Sequence, residues 1–195
     1  MKLRESLKDN RRKVAVTALI AGAALIFLVA FFVPLNNAPA KNSSETGFNR
    51  ADLMFMNMMI IHHDQAIEMA ELAPNRTDNE NILELSRNIS EAQRAENEQM
   101  AEWLRELGYQ RPVRGHRMAG MASQEEMQRL KNSSGRGFDR LFSELMIRHH
   151  RGGIQMAQAF SRRGSYPELI QMEKQMIEAQ QKEIQLMQEW QQNWN

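Results

Sequence analysis

Four of the five histidines in this 195-residue sequence come as two adjacent pairs, His62-His63 and His149-His150. Each pair is flanked by methionine three residues before and seven residues after its first histidine: Met59 and Met69 in the first case, Met146 and Met156 in the second. Imidazole and thioether together suit a soft or borderline metal ion, Cu(I) above all, with Ag(I) expected to behave similarly. Methionine accounts for 15 of the 195 residues, roughly three times ordinary usage, and cysteine is absent. In an oxidising compartment thioethers stand in for the thiols that oxidation would remove. A third group, His116, Met118 and Met121, lies on a short glycine-containing stretch that would serve as an exchange loop closing over a Cu(I) ion. The plainer reading is that methionines fill irregular core gaps, that buried histidines are satisfied by hydrogen bonds, and that 116–121 is a solvated loop. Two pairs with matching methionines favour metal over that reading.

Other chemistries find less support. Without cysteine there is no disulfide scaffold, thiolate zinc site, iron–sulfur cluster or thiol nucleophile. Di-iron sites of ferritin type use Glu-x-x-His pairs, and neither histidine pair has a glutamate three residues before it. His-Glu-x-x-His, Gly-x-Ser-x-Gly and phosphate-loop patterns are missing, so no enzyme is expected. The net charge is +1, with basic residues concentrated in 1–13 and a slight acidic excess after residue 41, which argues against a nucleic-acid partner.

The elements that position the histidines follow from an internal repeat. Met59-Ile60-Ile61-His62-His63 recurs as Met146-Ile147-Arg148-His149-His150, and the same offset relates Glu91-Ala92-Gln93 to Glu178-Ala179-Gln180, Glu96 to Glu183, Met100 to Met187 and Glu102-Trp103 to Glu189-Trp190. Apolar spacing of three and four predicts helices over 47–73, 78–107, 137–162 and 166–193. Thr77-x-x-Glu80, Ser165-x-x-Glu168 and Ser123-x-x-Glu126 read as capping boxes, the last opening a short helix in the connection. The expected fold is all-α: an antiparallel four-helix bundle of ferritin-like type made from two duplicated hairpins, repeat 1 over 47–107, a crossover over 108–136 and repeat 2 over 137–193. Both histidines of each pair fall on bundle-facing stripes, with Ala66 and Gly153 leaving room beside the imidazoles. Met54 and Met58 fall toward the outer side of the first helix, where core packing does not favour methionine.

Residues 14–33 form an uncharged apolar run of twenty, enough to span about 30 Å of hydrocarbon as a helix. With the basic tail 1–13 before it and the linker 34–46 after it, a single-pass anchor in the cell membrane is expected, the N-terminus cytoplasmic and the domain 47–195 extracytoplasmic. Cleavage of a signal peptide after Ala40 is the alternative, disfavoured because the apolar run is longer than a signal core. The lipid bilayer, through 14–33, and a metal ion are the expected partners, with a copper transporter or another copper protein as the exchange partner.

The duplicated His-His-x-x-x-Ile-x-Met-Ala motifs, 62–70 and 149–157, with Met118-Ala-Gly-Met121 and Gly137-Phe138-Asp139-Arg140-Leu141-Phe142, resemble the domain of unknown function 305 family over about 47–193. The resemblance implies a ferritin-like four-helix fold and, from some exported members linked to copper resistance, copper or silver handling through His and Met. The second motif departs from the first: Arg148, Arg151 and Gly152-Gly153 make it more basic and more flexible. Positive charge beside His149 disfavours cation capture, so the second site is expected to be weaker or structural. The leading expectation is a membrane-anchored protein that sequesters or hands on Cu(I) without catalysis. The alternative is an interaction module that packs Met-rich helices, Met54 and Met58 included, against a membrane partner.

Overall fold

The computed structural model describes residues 47–109 and 118–194. These form five α-helices, α1 (Arg50–Leu72), α2 (Glu80–Glu106), α3 (Gln124–Asn132), α4 (Gly135–Phe160) and α5 (Pro167–Asn193), with a 3-10 turn over Ala73–Asn75. No strand occurs among the described residues. The expected anchor 14–33, the tail, the linker 34–46 and His116 lie outside them. Among the described residues no helix is long and apolar enough to cross a membrane.

The caps explain the boundaries, and two of them differ from expectation. Ser123 and Glu126 form the capping box that opens α3: the Ser123 hydroxyl accepts from the Glu126 amide at 3.2 Å, and Glu126 accepts from the Ser123 amide at 2.8 Å. Helix α2, however, is capped by Asn79 rather than Thr77, because the Thr77 hydroxyl is already taken up by the Asn79 amide. Helix α5 has Pro167 in its first turn and no side-chain cap. Ser165 is drawn away to donate to Asp52 at 2.9 Å and to the Gly47 carbonyl at 2.7 Å. A second box, absent from the expectation, opens α1: Asn49 accepts from the Ala51 and Asp52 amides, and Asp52 accepts from the Asn49 amide at 2.7 Å.

Helices α1 and α2 form one hairpin, α4 and α5 the other, and the hairpins meet along α1 and α4. The repeat is visible in the outer helices, α2 and α5, each 27 residues long and starting at equivalent positions. Helix α1 runs antiparallel to α4, since its start meets the end of α4 and its end meets the start of α4. Equivalent buried aspartates latch the two ends. Asp52 accepts from the Ser165 amide at 3.1 Å, and Asp139 accepts from the Asn79 side chain at 3.0 Å. Each thus ties an inner helix to the loop that leads into the other hairpin's outer helix. Asp52→Ala strands the Ser165 and Asn49 amides, and hydrogen bonds to charged acceptors contribute about 1.5–3 kcal/mol each. A loss of about 2–4 kcal/mol is expected from urea unfolding followed by circular dichroism at pH 6.

The core is split in two. Phe138, Phe142, Leu145, Met146, Ile82, Ile89, Met69 and Leu130 fill one buried cluster, and Phe55, Met56, Met59, Met100, Met156, Leu169 and Met176 fill the other. Between them along both α1 and α4 lie the histidines. The polar layer therefore sits where two apolar cores adjoin, surrounded by side chains that offer its nitrogens little hydrogen bonding.

Candidate metal site at the histidine layer

All four paired histidines are buried, with 0% exposure for His62, His63 and His150 and 1% for His149. The 3.6-residue period cannot place two adjacent residues on one stripe, but α1 and α4 each face a hairpin partner on one side and the other hairpin on the other. His62 and His149 turn toward each other across the α1–α4 contact, their ring centroids 3.8 Å apart. His63 and His150 turn toward the outer helices. His63 Nε2 lies 2.8 Å from a carboxylate oxygen of Glu96 on α2, and His150 Nε2 lies 2.7 Å from one of Glu183 on α5. Neither of these two contacts has hydrogen-bond alignment, so both Nε2 atoms lack a hydrogen-bond partner despite the nearby carboxylates. The equivalence of the four residues repeats the internal duplication in space.

Protonation and tautomer follow from this burial. Desolvation, with His63 beside it, pushes the His62 pKa down to about 3. Desolvation first, then the neighbouring His62, holds His149 well below the usual imidazole range. Both rings are neutral at pH 7 and available as ligands. The Ala119 carbonyl lies 3.1 Å from His62 Nε2 and can only accept, so Nε2 carries the proton and Nδ1 is a bare lone pair. Nδ1 of all four histidines has no hydrogen-bond partner, and His149 Nε2 has none either. Buried polar atoms are ordinarily paired, so this many orphaned nitrogens in one layer call for a ligand or a water. Among the described residues, no three His, Asp or Glu side chains are already gathered into one metal-binding group.

The thioethers are sorted across the repeats. Met59 and Met156 share one buried cluster, and Met69 and Met146 share the other. Antiparallel packing causes this, because the methionine before His62 on α1 comes level with the one after His149 on α4. The candidate set is thus one layer of imidazoles with thioethers in the cores on either side, in place of two self-contained sites. Met118 is buried and Met121 half-buried, both against the Met59 and Met156 cluster. Met54 is 47% exposed and Met58 half-buried.

The expected weakness of the second motif has a different form in the structure. Arg148 is drawn off by Glu126 on α3, with bonds of 2.7 and 2.5 Å, and Arg151 points to solvent. The same pairing holds the Glu126 carboxyl down to about 2. Gly152 and Gly153 are places of close packing within α4. A Cβ on Gly152 would lie 2.0 Å from the Ala119 oxygen, and one on Gly153 would lie 2.8 Å from Gln180 Oε1 and 3.4 Å from His62 Cε1. Glu96, Glu183 and Gln180 bear on the layer, and spacing alone singled out none of them as a site residue. The repeat had placed Glu96 and Glu183 on equivalent helix faces, which was the usable signal. Two surface clefts of roughly 500 and 450 Å³ lie elsewhere, and no histidine lines either.

The profile of the domain of unknown function DUF305 matches residues 52–191, from the first turn of α1 to the last turn of α5. The chain belongs to the DUF305 family. Solved DUF305 structures superpose closely on it. One from Streptomyces coelicolor is 32% identical, with a TM-score of 0.67 over 70% of this chain and 89% of that one. A DUF305 fragment from Deinococcus radiodurans is 28% identical, with a TM-score of 0.67 over 72% of this chain and 95% of that one. CopM in its Cu(I)-bound form is 32% identical, with a TM-score of 0.63 over 73% of this chain and 96% of that one. CopM has also been solved with silver and with Cu(II). Among the curated proteins none matches this chain. The DUF305 fold thus carries a relationship to a copper- and silver-binding protein.

Proposed function

We propose that this DUF305 protein binds Cu(I), and Ag(I) in its place, to sequester it or pass it on, and that it does no catalysis. The observation that carries this reading is the buried histidine layer, whose imidazoles present unpaired nitrogens beside thioether-rich cores. Such a set suits a soft ion that accepts two or three nitrogen and sulfur ligands better than one demanding four hard ligands. His62, His63, His149 and His150 are the proposed imidazole ligands, drawing thioethers from Met59, Met69, Met146 and Met156, with Met118, Met121 and His116 on the exchange loop. We read the two hairpins as one antiparallel four-helix bundle on the ferritin-like plan, anchored by 14–33 with the bundle outside the cytoplasm. There a copper transporter or another copper protein would be its exchange partner. A partner-packing role for the outer face of α1 has the exposure of Met54 in its favour.

The test is a competition titration of the full chain in detergent with Cu(I) against a chromogenic chelator, under anaerobic reducing conditions, repeated with Zn(II). Tight Cu(I) binding with weak Zn(II) binding is expected. Absence of Cu(I) binding returns the methionines to a packing role and leaves the partner-packing reading.

A further inference from the structure

The imidazoles are sealed from solvent, so an ion reaches their lone pairs only after something moves. The segment 118–122 is the piece of the surroundings that is not helical and is held by few bonds. It lies in the groove between α1 and α4. The Ala119 carbonyl accepts from His62 Nε2, and the Gln65 side-chain amide pairs with Ala122 in both directions, at 3.0 and 2.7 Å. On the other wall the backbone of the segment rests directly on that of α4. Gly120 has φ +81°, a conformation that suits glycine, and a Cβ there would lie 2.4 Å from the Arg148 carbonyl oxygen. Gly152 meets Ala119 as closely. Just beyond, Glu126 anchors the start of α3 to Arg148.

We propose that 118–122 is a strap that gates the histidine layer, and that releasing Gln65 from Ala122 and His62 from Ala119 is the step that admits a soft monovalent cation. This rests on the copper reading and adds its regulation. The route outward is marked on α1. Met54, Met58, His62 and Gln65 follow one another at helical spacing of four, four and three, so the stripe under the strap continues into the half-buried Met58 and the exposed Met54. Met118 and Met121 flank the Ala119 carbonyl from within the strap. Opening therefore frees the His62 ring from its backbone acceptor, so that its Nδ1 lone pair and the thioethers of the strap are offered together to a soft ion. The polar attachments are what make the closed state reversible. Four helices interlocked through two apolar cores must part together, while a strap on a few hydrogen bonds opens locally.

Gln65→Ala removes both amide bonds to Ala122 and touches no imidazole. In the full-length protein in detergent, without metal, diethyl pyrocarbonate modification of His62, read by peptide mass spectrometry, is expected to quicken about tenfold or more at unchanged helicity. Stopped-flow capture of Ag(I) is expected to quicken with it, while equilibrium affinity changes much less. Gly152→Ala, whose Cβ cannot fit beneath Ala119, is the second variant and displaces the strap even where Gln65→Ala leaves it docked. Amide exchange at Ala122 reports which has happened. If that amide opens in either variant and His62 modification and Ag(I) capture stay at wild-type rates, the strap is not the gate. If His62 modification quickens but neither protein binds Ag(I), the gate stands as a cover of the imidazoles and the metal reading falls.

Discussion

Removing the histidine pair from either repeat is expected to weaken Cu(I) binding by about 100-fold or more, with His62→Ala/His63→Ala and His149→Ala/His150→Ala behaving alike. Two separate sites would give another result: half the stoichiometry with the remaining affinity intact. The expectation of equal loss comes from the placement of His62 against His149, with ring centroids 3.8 Å apart across the α1–α4 contact. It is strengthened by the sorting of Met59 with Met156 and of Met69 with Met146. Changes of residues that only hydrogen-bond to metal ligands already cost 10- to 100-fold, so loss of two ligands is at least that severe. Helicity should stay near wild type, because α1 and α4 keep the apolar stripes that hold them. Chelator competition on both double variants, with the metal-to-protein ratio measured at saturation, decides between one layer and two sites.

The second large effect is the dependence of stability on pH. His62 and His149 bind protons less readily in the folded protein than in the unfolded chain, since burial depresses both. The unfolded chain then takes up protons below pH 6.5, so stability is full above that value and falls as the solution is acidified. For His62 the descent toward about 3 corresponds to a loss on the order of 5 kcal/mol. Glu173 works the other way. It is 1% exposed, its Oε2 has no partner, and desolvation followed by the charge of Asp52 pushes its carboxyl up to about 7. Its folded pKa is the higher one, so its share of stability is complete below about 4.5 and lost as pH rises to about 7, roughly 3 kcal/mol. Between 4.5 and 6.5 two depressed histidines outweigh one raised glutamate, and the maximum is expected near pH 6.5. Glu173→Gln should match wild type near pH 4 and exceed it by about 2–3 kcal/mol at pH 8. Urea midpoints across that range measure it, and a variant that gains nothing at pH 8 would show Glu173 is ionised without penalty.

The lone carboxyl at Glu173 illustrates how legibility varied along this chain. Its equivalent in the first repeat is Ser86, so the duplication offered no hint of a buried acid there. Where both copies kept the same residue, as at His62 and His149 or Glu96 and Glu183, the repeat located it from sequence alone. The caps show the opposite limit. Ser123 and Glu126 closed their box within four residues. Thr77 was taken up by the amide of Asn79, which capped the helix in its place, and Ser165 by an aspartate 113 residues away.

The sequence by itself determined the helices, their duplication and the burial of both histidine pairs, because those rest on periodicity and residue type, which are local properties. Only the tertiary structure decided that the two motifs make one layer, with His62 and His149 facing each other across α1 and α4 and the methionines of the two repeats mixed in each core. It also turned Gly152 and Gly153 from flexible points into contact points, neutralised Arg148 with Glu126, and laid 118–122 over His62. All of these depend on antiparallel packing, which brings together residues 87 or so positions apart in a register that spacing along one helix does not encode.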